Sequence, residues 1–296
     1  MMKDVLKRVL RCSLLCGIMV LGILAFRTEA VQAATTKYVA ANTVSYTTVG
    51  SAKIKIKYIS SNKYRIYFKK NDETYKKTVS GQVSAVTNGS IVYFKKVYSS
   101  ALYKWNPVKG TTSKVGTVKT GDYGSSLSGG VNKMLYFSYS TPESEYTAAA
   151  VDLYRYSLST KKSSKVKSGA YFEGSYGSRI VVENSTGSVQ PVALYLYNNS
   201  GKKIKTITSK EFGATVSGKY VYYAKVTGTN IYSSSPYTVK FMKCNISTGN
   251  TKTICSTSVA VLSVYKVTSK YAIFWKDGSS CYKYTYSTGK LTEYTI

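Results

Sequence analysis

An all-β chain made of one repeated sheet is what the sequence predicts, on three observations. Thirty Tyr, with abundant Ser, Thr, Val and Gly, mark a strand-forming composition. No stretch after residue 34 carries a helical period. A strongly apolar strand followed by a hairpin recurs every forty-odd residues.

The first 33 residues stand apart from that pattern. "MMKDVLKRVLR" is basic, "CSLLCGIMVLGILAF" (12–26) is an apolar run of 15, and "TEAVQA" (28–33) offers Val31 and Ala33 around a cleavage point. A bilayer span needs about 20 residues. Residues 1–33 are therefore expected to be a secretory signal peptide, a retained anchor being the alternative. Cleavage after Ala33 removes five of the 42 bases and two of the 13 acids, leaving 37 and 11. So basic a chain attracts polyanions and repels itself. The same lysines would also keep exposed strands from pairing with other chains.

The apolar strands are read at "KYRIYF" (63–68), "SIVYF" (90–94), "KMLYF" (133–137), "SRIVV" (178–182), "KYVYY" (219–223) and "KYAIFW" (270–275). Measured on Phe94, Phe137, Val182, Tyr223 and Trp275 the spacings are 43, 45, 41 and 52. The hairpins that follow, anchored on Trp105, Tyr156, Tyr197, Cys244 and Tyr284, repeat at 51, 41, 47 and 40. Within one hairpin, "LYKWN" (102–106) is the third strand of a unit, "PVKG" the turn and "TTSKV" (111–115) the outer strand. A four-stranded sheet has two faces and covers neither alone, so such units must stack. The period and strand number predict a β-propeller over residues 53–296, with six blades, or five as the alternative count.

The first unit, near 45–81, is irregular. Its strand at 63–68 precedes the next by only 26 residues, and "KIKIKYI" (53–59) alternates strictly, as a half-exposed strand does. Residues 34–52 are expected to supply a strand that closes the ring beside "KLTEYTI" (290–296).

The stretch "VYFKKVYSSALYKWNPVKGTTSKV" (92–115) resembles TolB-type and YWTD-like propeller repeats. It is closer still to the exported propeller-like domains of unknown function common in Gram-positive bacteria. The resemblance spans about residues 60–296. The YWTD tetrad is absent, and the Asp frequent after L-Y-x-x is replaced by Asn106, Ser157, Asn198, Asn245 and Thr285. The resemblance implies a propeller fold, export, and a binding or scaffold role; it transfers no catalytic residue.

The absence of His excludes Ser-His-Asp and Cys-His catalysis and every His-based zinc site. No P-loop, nucleophile elbow or calcium loop occurs, so no cofactor or metal is expected. Paired carboxylates remain open to glycan chemistry, with Asp122, Glu173 and Glu211 in comparable junctions between units. Three Cys follow the leader. Cys244 and Cys255 flank a turn and are a candidate disulfide, the alternative being two buried thiols.

The long loops 139–151, 183–191 and 225–237 share one edge of the predicted propeller with the links between units. These loops and the turn after "VYFKK" carry Tyr98, Tyr139, Tyr146, Tyr232 and Tyr237, with Tyr123 and Tyr171 on the links. Lys95, Lys96 and Lys225 would stand beside them. Tyr offers a flat apolar face with a hydroxyl, suited to sugars or bases. The expectation is a non-catalytic binding module, secreted or held at the cell surface. Its partner would be an anionic cell-wall polymer, a glycan or a protein, with nucleic acid bound only non-specifically. Membrane contact would come only through an uncleaved leader. A carbohydrate-active enzyme is the alternative.

Overall fold

The computed structural model describes residues 35–121, 123–141, 150–184, 192–227, 237–259, 263–275 and 281–294. The leader, Asp122, Tyr146 and Tyr232 lie outside the described residues. Every element among the described residues is a strand, so the all-β expectation holds.

Among the described residues, the strands after a short β1 (Lys37–Ala40) form six four-stranded antiparallel meanders in chain order, two of which share one long strand. Unit 1 comprises β2 (Thr47–Val49), β3 (Ala52–Ser60), β4 (Lys63–Lys70) and β5 (Glu73–Ser80). Unit 2 comprises β6 (Val83–Thr87), β7 (Val92–Lys96), β8 (Ala101–Trp105) and β9 (Thr112–Thr117). Unit 3 comprises β10 (Ser125–Val131), β11 (Met134–Thr141), β12 (Ala150–Ser157) and β13 (Ser163–Lys167). Unit 4 runs through β14 (Ala170–Tyr176), β15 (Arg179–Asn184), β16 (Val192–Asn198) and the first part of β17 (Lys203–Ser217). The same β17 then pairs with β18 (Tyr220–Thr227) and so opens unit 5, continued by β19 (Tyr237–Asn245) and β20 (Thr251–Val259). Unit 6 comprises β21 (Ser263–Val267), β22 (Tyr271–Trp275), β23 (Cys281–Thr285) and β24 (Lys290–Tyr294).

Burial explains the pattern of residues. In units 2 to 6 the second strand is covered on both faces, so consecutive residues are apolar: Ile180, Val181 and Val182 in β15 are all fully buried. Outer strands meet solvent, and β24 is exposed along its whole length. Turns need a left-handed residue where the first strand meets the second, and Asn132, Gly177 and Gly218 supply it with φ of 55°, 59° and 54°.

The residue that stands where the resembled repeats carry Asp has a local role. Asn106 Oδ1 accepts from Lys109 N–H at 3.1 Å, Asn198 Oδ1 from Lys202 N–H at 2.9 Å, and Asn245 Oδ1 from Ser247 N–H at 2.9 Å. Ser157 Oγ accepts from Thr160 N–H at 3.1 Å. A short polar side chain that folds back on the backbone closes each hairpin, which is why Asn and Ser serve as well as Asp.

Five apolar cores join the six units in succession. Ile54, Ile66 and Phe68 of unit 1 meet Phe94 and Trp105 of unit 2. Leu102 and Val118 of unit 2 meet Leu135 and Phe137 of unit 3. Tyr136 and Leu153 of unit 3 meet Ile180 and Val182 of unit 4. Leu194 and Leu196 meet Val221 and Tyr223 of unit 5, and Phe241 meets Phe274 and Tyr284 of unit 6. Among the described residues no core joins unit 6 back to unit 1.

Three expectations are corrected here. The apolar strand equivalent to its neighbours in unit 1 is β3, not 63–68; the more aromatic β4 is the third strand, which accounts for the short spacing. The N-terminal strand does not pair with 290–294. β1 lies instead between the first strands of units 2 and 3, with Tyr38 opposite Gly130 and Val39 opposite Thr87, because β24 belongs to a unit that already has four strands. Cys244 and Cys255 are free. Cys244 stands opposite Thr251, whereas Cys255 stands opposite Phe241, three residues along the strand. That offset of about 10 Å exceeds the reach of a disulfide. Cys244 also packs toward unit 4, while Cys255 packs toward unit 6.

Candidate functional site

The antiparallel order brings one set of strand ends to a common edge. The starts of β10, β14 and β21 and the ends of β7, β11, β15 and β18 all lie there, as do the links between units. Those of the predicted positions that lie among the described residues fall near these strand ends, but they do not all do the same thing.

Tyr98 and Tyr123 are open to solvent, at 64% and 55% exposure. A Cβ on Gly124 would lie 3.3 Å from the Tyr98 ring, so the turn after β7 and the link before β10 touch. Tyr171 is exposed at the start of β14, and Lys96 is exposed at the end of β7. Lys225 is half-buried near the end of β18, its backbone opposite Glu211. Tyr237 opens β19, opposite Val259.

Tyr139 is built into the wall rather than offered to a ligand. Lys119 Nζ lies 4.6 Å over its ring, Tyr154 meets it edge-on at 5.7 Å, and Gly121 leaves room for its hydroxyl. Sequence reading does not single out Lys119, because it lies in the link after β9, where no repeat signal marks it.

Lys95 departs furthest from expectation. It is 0% exposed, so it cannot reach a ligand. Its ammonium donates to the carbonyls of Lys96, Val97 and Ser125 at 2.8, 2.9 and 2.7 Å. Three acceptors match its three N–H donors. Val97 O accepts from Ser125 N–H at 2.9 Å and from Thr120 Oγ1 at 3.2 Å as well. The clamp ties the turn bearing Tyr98 to the link bearing Tyr123. Burial pushes the Lys95 ammonium down to about 8.

Of the three carboxylates predicted to converge, Glu173 finds a partner, but it is Glu183. A bulge in β14 between Phe172 and Gly174 leaves Glu173 as the extra residue, while Glu183 stands opposite Tyr171 on β15. Burial and the neighbouring Glu183 push Glu173 up to about 8, and burial raises Glu183 too. Neither makes an ion pair among the described residues. Glu183 was legible only through register, since ten residues separate the two in sequence. Glu211 pairs through its backbone with Val192 and Lys225. The described residues contain no group of three or more metal-ligating side chains.

The bases are the dominant chemistry. Among the described residues a single salt bridge occurs, Lys165 Nζ to Asp152 Oδ2 at 2.6 Å. Other lysines lie over tyrosine rings: Lys203 over Tyr195 at 5.3 Å, Lys243 over Tyr220 at 5.2 Å, and Lys283 over Tyr271 at 4.8 Å. The ring steadies the ammonium without neutralising it.

No protein-family model matches this chain, and no curated protein does. Solved structures do resemble it. An uncharacterized protein from Listeria monocytogenes aligns at 11% identity over 86% of this chain and 84% of its own, with a TM-score of 0.50. The β-propeller domain of the Trilobed protease from Pyrococcus furiosus aligns at 12% identity over 88% and 83%, TM-score 0.47. TolB from Acinetobacter baumannii aligns at 17% identity over 78% and 59%, TM-score 0.37. At these identities the likeness concerns the fold alone: an all-β, propeller-like architecture.

Proposed function

We propose that this chain is an exported, non-catalytic propeller of six blades that binds an anionic envelope polymer or glycan. One observation carries the reading: the bases greatly outnumber the acids, and among the described residues only Lys165 is paired with one. Charges left unpaired sustain a positive potential, and a linear polyanion gains from releasing its counterions onto it. The leader-like residues 1–33 support export. Exposed Tyr98, Tyr123 and Tyr171 on one edge offer apolar faces for a sugar ring.

The test is binding of the chain to an anionic polymer across a salt series. An affinity that falls by about a thousandfold or more between 50 and 200 mM salt is expected when six or more charges are engaged. Salt-independent binding of one protein from an envelope extract would instead favour a dedicated protein partner.

The Glu173–Glu183 pair favours a second reading, a carbohydrate-active enzyme in which the protonated Glu173 acts as acid. Turnover in a glycan panel that Glu173→Gln abolishes would establish it. The same variant has a stability signature in either case. Glu173 holds its proton to higher pH in the folded chain than in the unfolded one, so stability falls as pH rises from 4.5 toward 8. Glu173→Gln is expected to remove about 1–2 kcal/mol of that slope, measured by urea unfolding at pH 5 and pH 8.

A further inference from the structure

The outer face of unit 1 is basic where every other junction has an apolar core. Side chains alternate along β3, so Ala52, Ile54 and Ile56 enter the core with unit 2 and Lys53, Lys55 and Lys57 take the opposite face. On β4 the register puts Lys69 beside Lys53, Tyr67 beside Lys55 and Arg65 beside Lys57, with Lys63 beyond. On β5, Lys76 stands opposite Tyr67, flanked by Thr74 and Thr78. No acidic residue occupies that face. Asp72 sits in the turn at its end, and Glu73, the first residue of β5, lies on the core side, where it accepts the Tyr75 hydroxyl.

We infer that this face is a docking surface for a linear phosphodiester polymer that carries no bases; the inference rests on the anionic-polymer reading and gives it a place. Charge complementarity selects the occupant. Along β3 the ammonium groups recur about every 6.8 Å and the next strand lies about 4.8 Å away, so a flexible chain of single charges meets successive cations. Six of the seven cations are Lys, a point charge with rotatable donors, whereas bidentate carboxylate recognition favours Arg. The rings on the face are already capped. Lys55 Nζ lies 4.6 Å from the Tyr46 centroid and 5.6 Å from that of Tyr67, and Lys69 Nζ lies 5.2 Å from Tyr46. They offer no open platform for stacking a base.

Other occupants meet this surface badly. On its face away from unit 5, unit 6 buries Ile273 and Cys281 and carries Lys266, Lys283 and Lys290 around them, so closing it onto unit 1 would set an apolar centre against lysines and those three lysines against like charges. A second copy of so basic a chain repels in the same way. A protein interface would need an apolar centre, which the face lacks.

The test compares three proteins with poly(glycerol phosphate) as probe: the wild-type chain, a face variant and a control. The face variant carries Lys53→Gln, Lys57→Gln, Lys69→Gln and Lys76→Gln, all exposed positions. The control loses as many exposed charges elsewhere, through Lys104→Gln, Lys109→Gln, Lys162→Gln and Lys202→Gln. The face variant is expected to lose at least about tenfold in affinity at 100 mM salt, and its log–log salt slope to fall by about 3. The control should lose less than about threefold, and matched melting curves should show all three folded. Equal losses in both variants would overturn the placement while leaving polymer binding intact. No binding by the wild type would overturn the parent reading. Tighter binding of oligo(dT), of polygalacturonate or of phosphatidylglycerol vesicles at matched charge would overturn the choice of occupant.

Discussion

Lys95→Met is expected to destabilise the fold by about 2 kcal/mol near neutral pH, and Lys95→Ala by about 4 kcal/mol, read from urea unfolding. Met fills the space of the aliphatic stem, but it donates nothing to the carbonyls of Lys96, Val97 and Ser125. Ala forfeits the packing of the stem as well. The effect has a diagnostic pH dependence. The folded Lys95 gives up its proton near pH 8, the unfolded one near 10.5, so between these values the unfolded chain holds the extra proton. Stability rises with pH across that window. The gap between wild type and Lys95→Met should therefore widen from pH 7 to pH 10, by about 1 to 3 kcal/mol. Taking the difference between the two proteins cancels the general relief of self-repulsion as other lysines and tyrosines titrate. A gap that narrows would mean that the carbonyls hold the ammonium more firmly than water does. Amide exchange should speed up in 97–100 and 118–125, the segments that the clamp joins.

The fate of Lys95 shows where sequence reading stops. Alternation places residues on faces, and it identified the second strands of units 2 to 6, because burial on both sides leaves continuous apolar runs such as "RIVV". It identified the hairpins too, since a turn needs particular residues at its tip. It does not foresee a residue near a strand's end folding back under a link 30 positions away, which is what buries Lys95. Unit 1 was misphased for a related reason. Its third strand, with Tyr64, Tyr67 and Phe68, is more aromatic than its second, whose lysines lie on a face that no core among the described residues covers. β1 has no counterpart in the other units, so no repeat could announce it. Tyr98 and Tyr123 were legible as exposed edge residues, and Glu173 as half of a carboxylate pair. Its partner Glu183 needed the register of β14 against β15.

Gly174→Ala is expected to cost about 3 kcal/mol, and Gly129→Ala nearly as much, because each glycine holds a φ (157° and 155°) that a side chain disfavours and also receives a side chain from the next unit. Both follow a bulge in the first strand of their unit, at 172–174 and 127–129. A Cβ on Gly174 would come within 2.7 Å of Val216 Cβ and 3.0 Å of both its γ carbons. The closest contact is to Val216 Cβ, which no change of rotamer moves, so β17 itself must shift. A Cβ on Gly129 would lie 2.3 Å from Phe172 Cε1. That ring stacks on Tyr136 at 5.0 Å and 12°, so turning it aside breaks the stack and opens the core between units 3 and 4. For a chain of this size the loss corresponds to a melting temperature lower by about 6 to 12 °C. Gly177→Ala and Gly218→Ala are the contrast: their φ is 59° and 54°, but nothing lies within 4 Å of the added carbon, so only the backbone cost of about 1 kcal/mol applies. If all four substitutions cost the same, the first strands are not in close contact between units. The stacking that positions the Tyr98–Tyr123 edge and leaves the outer face of unit 1 uncovered would then need another cause.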